Sequence, residues 1–307
     1  MGLANESVVN RVFLLFVVLV WFGASARAGE LGVGAPYSPF QTTVHQFHSL
    51  VTGAEYNVYV SLPRGYDSSR KRYPVVILQD GDYSFPIAQS VVLHMTDRDR
   101  LPEMIVVGLA YRGGIEDLPI YRMNRTRDFT PTRSTEGGYG PEFQAVSGGA
   151  AGYASFLKDE LRPFLEATYR TKSKDWTYVG HSYGGLFGTY VLLNEGKLFQ
   201  RYLLVSPSLW YDGQVMMKEA AEKAPSLRKT YVSVFLAVGA DENPRMADDL
   251  RAFADIMRNG AEGGVTVDIK VFPEENHDTV FPAALSRGLR VLFNRADQGA
   301  SDNTGNR

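Results

Sequence analysis

The stretch Gly180-His181-Ser182-Tyr183-Gly184 predicts how this chain folds. Residues 175–179 before it are aromatic and β-branched, which indicates a strand, and residues 185–193 after it indicate a buried helix. A G-x-S-x-G sequence at such a turn is typical of a nucleophile elbow, since the tight turn needs small flanking residues and leaves the serine hydroxyl free at a helix N-terminus. The alternative is a structural glycine-rich turn. The strand–turn–helix context favours Ser182 as a catalytic nucleophile.

A histidine that could act as the catalytic base follows this serine in the chain. His277 is the only histidine after Ser182, and it lies in the polar stretch 274–278 between the last predicted strand and the last predicted helix. A serine hydroxyl is a weak nucleophile unless a base takes its proton, and enzymes with this elbow have the chain order serine, acid, histidine. We therefore predict His277 as the base, the alternative being a solvated loop histidine.

Two neighbouring carboxylates are candidates for the acid. Asp241 and Glu242 both follow the predicted strand 231–238, and one of them must accept a hydrogen bond from His277. We favour Glu242 and keep Asp241 as its rival. Asp278 is adjacent to His277 in the chain and cannot easily reach its ring.

An oxyanion hole needs two backbone donors. The amide of Tyr183, directly after the nucleophile, is one candidate, and the amide of Gly81 or Asp82 in the turn after the buried strand 73–78 is the other. Gly81 would serve there as a position of close backbone approach.

The segment 111–142 is predicted to be a long irregular loop rich in arginine and tyrosine. Its arginines could brace the loop by pairing with nearby acids, or they could present a surface for an anionic or aromatic substrate. On the second interpretation we name Tyr111 and Arg112 in this loop, together with Trp210, as candidate substrate-binding residues.

Elsewhere strands and helices alternate, which predicts an α/β fold with a parallel sheet covered on both faces. The strands 42–52 and 55–62 are predicted to form a hairpin. Further strands are predicted at 73–78, 104–109, 201–205, 231–238 and 265–272, and helices at 84–97, 143–169, 214–224, 244–259 and 280–293.

The composition and the N-terminal residues restrict the kinds of partner, metal site and cellular location that we predict. The 307-residue chain has a net charge of −2 and no cysteine, which argues against nucleic acid as a partner and excludes disulfides and thiolate metal sites. We predict no metal and no cofactor. Residues 1–28 combine Arg11, an apolar run and an A-x-A site, and so predict a signal peptide and a secreted or periplasmic protein, the alternative being an uncleaved membrane anchor. The catalytic domain would be 29–295, residues 296–307 would be a disordered tail, and no later segment is predicted to span a membrane.

Several stretches together resemble the esterase-D-like branch of the α/β hydrolases, which includes siderophore (enterobactin-type) esterases. The matching stretches are 62–67, 73–81, 127–132, 180–185, 206–210 and 276–277. The resemblance implies an α/β-hydrolase fold with a mostly parallel central sheet and helices on both faces. It also implies an acid three residues after the strand-ending Gly239, which is Glu242. Family members often have Leu-Asp-Gly where this chain has Gln79-Asp80-Gly81.

The resemblance implies an exported serine esterase that forms an acyl-serine intermediate, with a small-molecule ester such as a siderophore as substrate. An acyltransferase is the first alternative, because mycolyltransferases share this fold and triad. A non-catalytic binding protein with the same fold is the second.

Overall fold

An eight-stranded sheet forms the centre of the computed structural model, which describes the backbone of residues 40–302 and the side chains of residues 40–294. The strands are β1 (Thr42–His48), β2 (Glu55–Ser61), β3 (Tyr73–Leu78), β4 (Ile105–Tyr111), β5 (Thr171–His181), β6 (Arg201–Val205), β7 (Val232–Gly239) and β8 (Val265–Phe272). The predicted signal peptide of residues 1–28 lies outside the described residues.

The strand order is β1-β2-β4-β3-β5-β6-β7-β8. The first two strands form the predicted hairpin, and β2 also pairs antiparallel with β4. All other neighbours are parallel, so β3, β5, β6, β7 and β8 end at the same edge of the sheet. Ligands of open α/β sheets bind at this carboxyl edge.

Helices cover both faces of the sheet, and the predicted fold class is confirmed. The helices are α1 (Gly81–Thr96), α2 (Leu118–Phe129), α3 (Pro141–Gln144), α4 (Ala150–Ser155), α5 (Arg162–Thr168), α6 (Tyr183–Asn194), α7 (Tyr211–Lys223), α8 (Pro244–Gly260) and α9 (Val280–Asp302). On one face α1 and α9 bury a cluster that includes Phe85, Leu285 and Phe235. On the other face α4 to α8 bury a larger, aromatic-rich cluster that includes Trp176 and Phe187.

The segment 111–142 corrects one prediction, because it contains the helix α2 instead of being irregular throughout. Asp117 caps this helix by accepting a hydrogen bond from the amide of Ile120 at 3.1 Å, and Pro119 lies in its first turn. The helix has no regular apolar stripe, since it buries Arg125 and Asp128 among its aromatic residues. Hydrophobic periodicity therefore could not reveal it.

The predicted long helix 143–169 is interrupted. Gly148 has a φ of 96°, and the amide of Gly149 donates to the carbonyl of Arg127 at 2.8 Å, so the chain turns here between α3 and α4. A π-helical turn over Phe156–Leu161 then joins α4 to α5.

The last helix runs to Asp302, past the predicted end at 293. The rest of the predicted tail, 303–307, lies outside the described residues. Across residues 40–302, none of the helices combines the length and the apolar character that crossing a bilayer would require.

Candidate active site

The serine of the elbow lies at the tight turn between β5 and α6. Ser182 has φ 59° and ψ −118°, a conformation that side chains rarely adopt, and its amide donates to the carbonyl of Val205 at 3.0 Å. A Cβ at Gly180 would overlap the carbonyl oxygen of Gly184, and one at Gly185 would lie 2.8 Å from Cα of Pro207. The glycines around Ser182 are thus required by the close packing of this turn.

The loops after β7 and β8 bring an acid and the histidine together. Glu242 Oε2 lies 2.7 Å from Nδ1 of His277. The other oxygen, Oε1, accepts hydrogen bonds from the Ser206 hydroxyl at 2.5 Å and from the Gly239 amide at 2.7 Å. Burial alone would raise the pKa of Glu242, but the hydrogen bonds from His277, Ser206 and Gly239 outweigh it and lower the pKa below its usual value. The carboxyl is therefore ionised at neutral pH.

The rival carboxylate does not join this pair. Asp241 is exposed, and its amide donates to the carbonyl of Glu275 at 2.9 Å. No hydrogen bond or ion pair links its side chain to His277 among the side chains described. The geometry therefore places Glu242, and not Asp241, on the imidazole.

Ser182, His277 and Glu242 line one cleft of about 960 Å³ at the carboxyl edge of the sheet, together with Trp210. The indole of Trp210 lies 6.3 Å from the ring of Tyr183, centroid to centroid. Within the described part of the chain the Ser182 hydroxyl makes no hydrogen bond to His277. Such bonds are often long without substrate and tighten in the reactive complex.

The three predicted oxyanion donors all lie in first helical turns. Tyr183 begins α6, and Gly81 and Asp82 begin α1. Their amides donate to no acceptor within residues 40–294, as expected for the first turn of a helix. Gly81 does permit a close backbone approach, because a Cβ there would lie 2.9 Å from the backbone carbon of Leu109. The close packing that it permits is that of α1 on β4.

Two of the predicted substrate-binding residues lie away from the cleft. Tyr111 is buried in the core beside Tyr56 and Phe129, and burial raises its pKa well above the usual value. Arg112 is exposed and pairs with Glu55 at 2.5 Å. Their positions do not support a role in substrate binding, so of the three candidates only Trp210 remains.

Arg125, which lines the cleft, fits the bracing interpretation. Arg125 of α2 is buried and forms a two-pronged ion pair with Asp80, at 2.7 Å from Nε and 3.0 Å from Nη2. Asp80 also accepts from the Tyr121 hydroxyl at 2.7 Å, and Arg125 donates to Tyr139. Arg127 similarly pairs with its neighbour Asp128.

A comparison with protein-family models identifies the family of this chain. The sequence model of the Esterase family, described as "Putative esterase", matches residues 49–290. The chain belongs to this family. It is a serine hydrolase that acts on carboxylic ester bonds.

Relatives of this esterase are named for siderophores. It is 30% identical over 270 residues to the ferri-bacillibactin esterase BesA of Bacillus subtilis, covering 82% of this chain and 89% of that protein. It is 27% identical over 275 residues to the siderophore enterobactin esterase of Emericella nidulans, covering 78% of this chain and 89% of that protein. A solved IroE-like serine hydrolase from Shewanella oneidensis superposes with a TM-score of 0.74 at 28% identity, over 83% of this chain and 80% of that one.

Sequence reasoning did not single out the histidine inside the esterase elbow. The ring of His181 lies 4.6 Å from that of His277, centroid to centroid, and its Nε2 is buried without a hydrogen-bond partner among the described residues. Burial lowers the pKa of His181 to about 4, and the nearby His277 and Arg125 act in the same direction. His181 is therefore a neutral ring beside the predicted base. Its place next to Ser182 in the chain was the available signal.

Sequence reasoning also gave no role to Ser206. This residue was noted only within the stretch 206–210, and a serine after a strand has no local feature that announces a carboxylate partner. Its partner Glu242 lies 36 positions further along the chain.

Proposed function

We propose that this esterase cleaves its substrate through an acyl-enzyme on Ser182, with His277 as the general base and Glu242 as the acid of the triad. The contact of 2.7 Å between Glu242 and His277, in the same cleft as the strained Ser182, carries this proposal. A carboxylate on Nδ1 fixes the tautomer that leaves Nε2 free to accept a proton, and it stabilises the imidazolium that forms.

The reaction has two halves. In the first, His277 takes the hydroxyl proton as Ser182 Oγ attacks the ester carbonyl, and the amides of Tyr183 and of Asp82 or Gly81 stabilise the oxyanion. Collapse of the tetrahedral intermediate breaks the ester bond, and the imidazolium protonates the leaving alcohol. In the second half, water attacks the acyl-serine with His277 again as base and releases the acid.

We propose a siderophore ester with anionic aromatic rings as the substrate. The relatives named above support this class, and so does the lining of the cleft. Arg122 lies 5.5 Å from the ring centre of Tyr139, and both residues line the cleft with Trp210. Unlike Arg125, Arg122 has no ion pair among the side chains described, so its charge is available to an anion. A volume of about 960 Å³ is large enough for a ligand with several rings.

Replacing the nucleophile tests the mechanism. Ser182→Ala should abolish ester cleavage, with a loss of kcat on the order of 10⁶, because no other hydroxyl replaces the attacking group. Thermal unfolding of the variant should match that of the parent or exceed it. Near-normal turnover by a folded Ser182→Ala enzyme would refute the acyl-serine mechanism.

A substrate panel tests the class. We expect kcat/KM for a catecholate triester, offered with and without iron, to exceed that for p-nitrophenyl butyrate by about tenfold or more. A preference for the neutral aliphatic ester would exclude the siderophore class.

Adding a sugar or an alcohol acceptor separates hydrolysis, which yields the free acid, from acyl transfer, which yields a new ester. Export stays a prediction that N-terminal sequencing of the mature protein would check.

A further inference from the structure

We infer that Ser206 is a positioning residue for the triad acid, holding the carboxylate of Glu242 in the orientation that His277 requires. This inference rests on the proposed triad. It assigns a function to a serine that does not touch the substrate or the reacting atoms.

The contacts of Glu242 divide between its two oxygens. Oε1 accepts from the Ser206 hydroxyl at 2.5 Å and from the Gly239 amide at 2.7 Å, and Oε2 faces Nδ1 of His277 at 2.7 Å. The Glu242 side chain is only 2% exposed, so water cannot easily replace a lost donor. Two donors on one oxygen stop the carboxylate from rotating, and they leave the second oxygen for the imidazole.

Ser206 has a backbone conformation that favours glycine, although the residue is a serine. Its φ is 43°, where glycine is the least strained residue, and it is fully buried with its amide bonded to the carbonyl of Ala237 at 2.7 Å. Strain of this kind persists where the surrounding structure enforces it, and it concentrates at functional sites. A glycine would fit this backbone but would lack the hydroxyl that Glu242 uses.

A positive φ at a polar residue other than glycine also occurs at the ends of two neighbouring strands. Asp80 after β3, Ser182 after β5 and Ser206 after β6 each have a positive φ without being glycine. Asp80 accepts from Arg125, Ser182 is the proposed nucleophile, and Ser206 donates to Glu242. Each of these strained residues thus places a polar side chain at the carboxyl edge of the sheet.

The Ser206 hydroxyl also affects the charge of the triad. A donor on Oε1 shares the negative charge of Glu242 and keeps the carboxylate ionised. Without it the carboxylate becomes more basic and binds the imidazolium of His277 more tightly. The acidic limb of the pH–rate profile should then move to higher pH, because His277 must lose its proton before it can act as a base.

Two substitutions of Ser206 distinguish the positioning of Glu242 from a role in packing. Ser206→Ala removes the hydroxyl and keeps the backbone strain, whereas Ser206→Gly removes both. Ser49, in the turn of the β1–β2 hairpin, is a matched control. It is also a fully buried serine, and its hydroxyl donates to Glu160 Oε2 at 2.6 Å. Ser49→Ala therefore removes the same kind of bond far from the triad.

We expect both Ser206 variants to lose kcat by about ten- to a hundredfold with KM within about twofold, as for the loss of a hydrogen bond to a charged group. The midpoint of the acidic limb of the kcat/KM profile should move to higher pH, by up to about one pH unit. Ser49→Ala should change neither quantity. In a Glu242→Gln background, Ser206→Ala should cost less than about twofold, because Ser206 acts through the carboxylate.

The inference fails if folded Ser206→Gly keeps kcat within about twofold of the parent, or if kcat falls while the acidic limb stays in place. It also fails if Ser206→Ala costs as much in the Glu242→Gln background as in the parent. If Ser182→Ala and Glu242→Gln lose activity as proposed while both Ser206 variants keep kcat within about twofold of the parent, only this inference is overturned and the proposed triad stands.

Discussion

Glu242 and Asp241 are adjacent carboxylates in very different surroundings. Glu242 has a side chain that is 2% exposed and bonded to His277, and Asp241 is open to solvent. A buried carboxylate bonded to an imidazole can fix its tautomer, whereas an exposed one has no such contact. The two residues therefore form a natural pair for comparison.

Glu242→Gln should lower kcat by between about 10² and 10⁴, because the amide can present an N–H to His277 and favour the wrong tautomer. Asp241→Asn should stay within about twofold of the parent, since no contact with the triad is lost. Steady-state kinetics of the two purified variants give the comparison. The opposite ranking would transfer the acid role to Asp241, and two mild effects would indicate a Ser–His dyad.

A buried ion pair joins two of the elements beside the site. Arg125 of α2 and Asp80 of the β3–α1 turn have side chains that are only 6% and 11% exposed. This pair attaches α2, which forms part of the cleft wall, to the end of a central strand. The ion pair between Arg64 and Asp97 is the exposed counterpart, with 71% and 39% exposure.

Arg125→Met should lower the free energy of unfolding by about 3–5 kcal/mol, because it leaves the carboxylate of Asp80 buried without its partner. Arg64→Met should cost less than about 1 kcal/mol, since solvent screens that pair. Urea unfolding at neutral pH measures both. Adding Asp80→Asn to Arg125→Met should recover part of the loss.

An Arg125→Met variant no less stable than Arg64→Met would show that the buried pair does not hold α2. An unchanged free energy after adding Asp80→Asn would show that an unpaired charge is not the cause of the loss.

Buried tyrosines determine how the whole molecule responds to alkali. The larger core cluster contains several phenols with almost no exposure, namely Tyr56, Tyr111, Tyr153, Tyr178 and Tyr202. Burial is the main cause that raises the pKa of each of them in the folded protein. These phenols lie between the sheet and its helices, so they can ionise only when the core opens.

The folded protein should therefore lose stability above about pH 10, where the same phenols ionise in the unfolded chain. A raised folded pKa means that the native state binds more protons than the unfolded state at this pH, and stability then falls as pH rises. Phenolate absorbance of the buried tyrosines should increase together with the loss of near-UV circular dichroism. A gradual increase of the full absorbance in a protein that keeps its native spectrum would contradict this prediction.

The amino-acid sequence was enough to predict the α/β class, the strand–turn–helix around Ser182 and the loop position of His277. These features are local, since strand and helix periodicity and the small residues of the elbow can be found within a short window. The hairpin and the buried strands were confirmed for the same reason, although β1 ends at His48, four residues before its predicted end. The helix α2 was missed because its buried residues include charged ones that pair with distant partners.

Contacts between distant positions were decided only by the tertiary structure. The sequence left Glu242 and Asp241 as rivals, and the paths of the loops after β7 and β8 place Glu242 on His277, 35 positions away. It named Tyr111 as a substrate residue, and the pairing of β4 with β2 puts that side chain in the core. It gave no role to Ser206, whose contact depends on β6 lying beside β7. Strand order and loop path bring such residues together, and neither is encoded in the local pattern around any one of them.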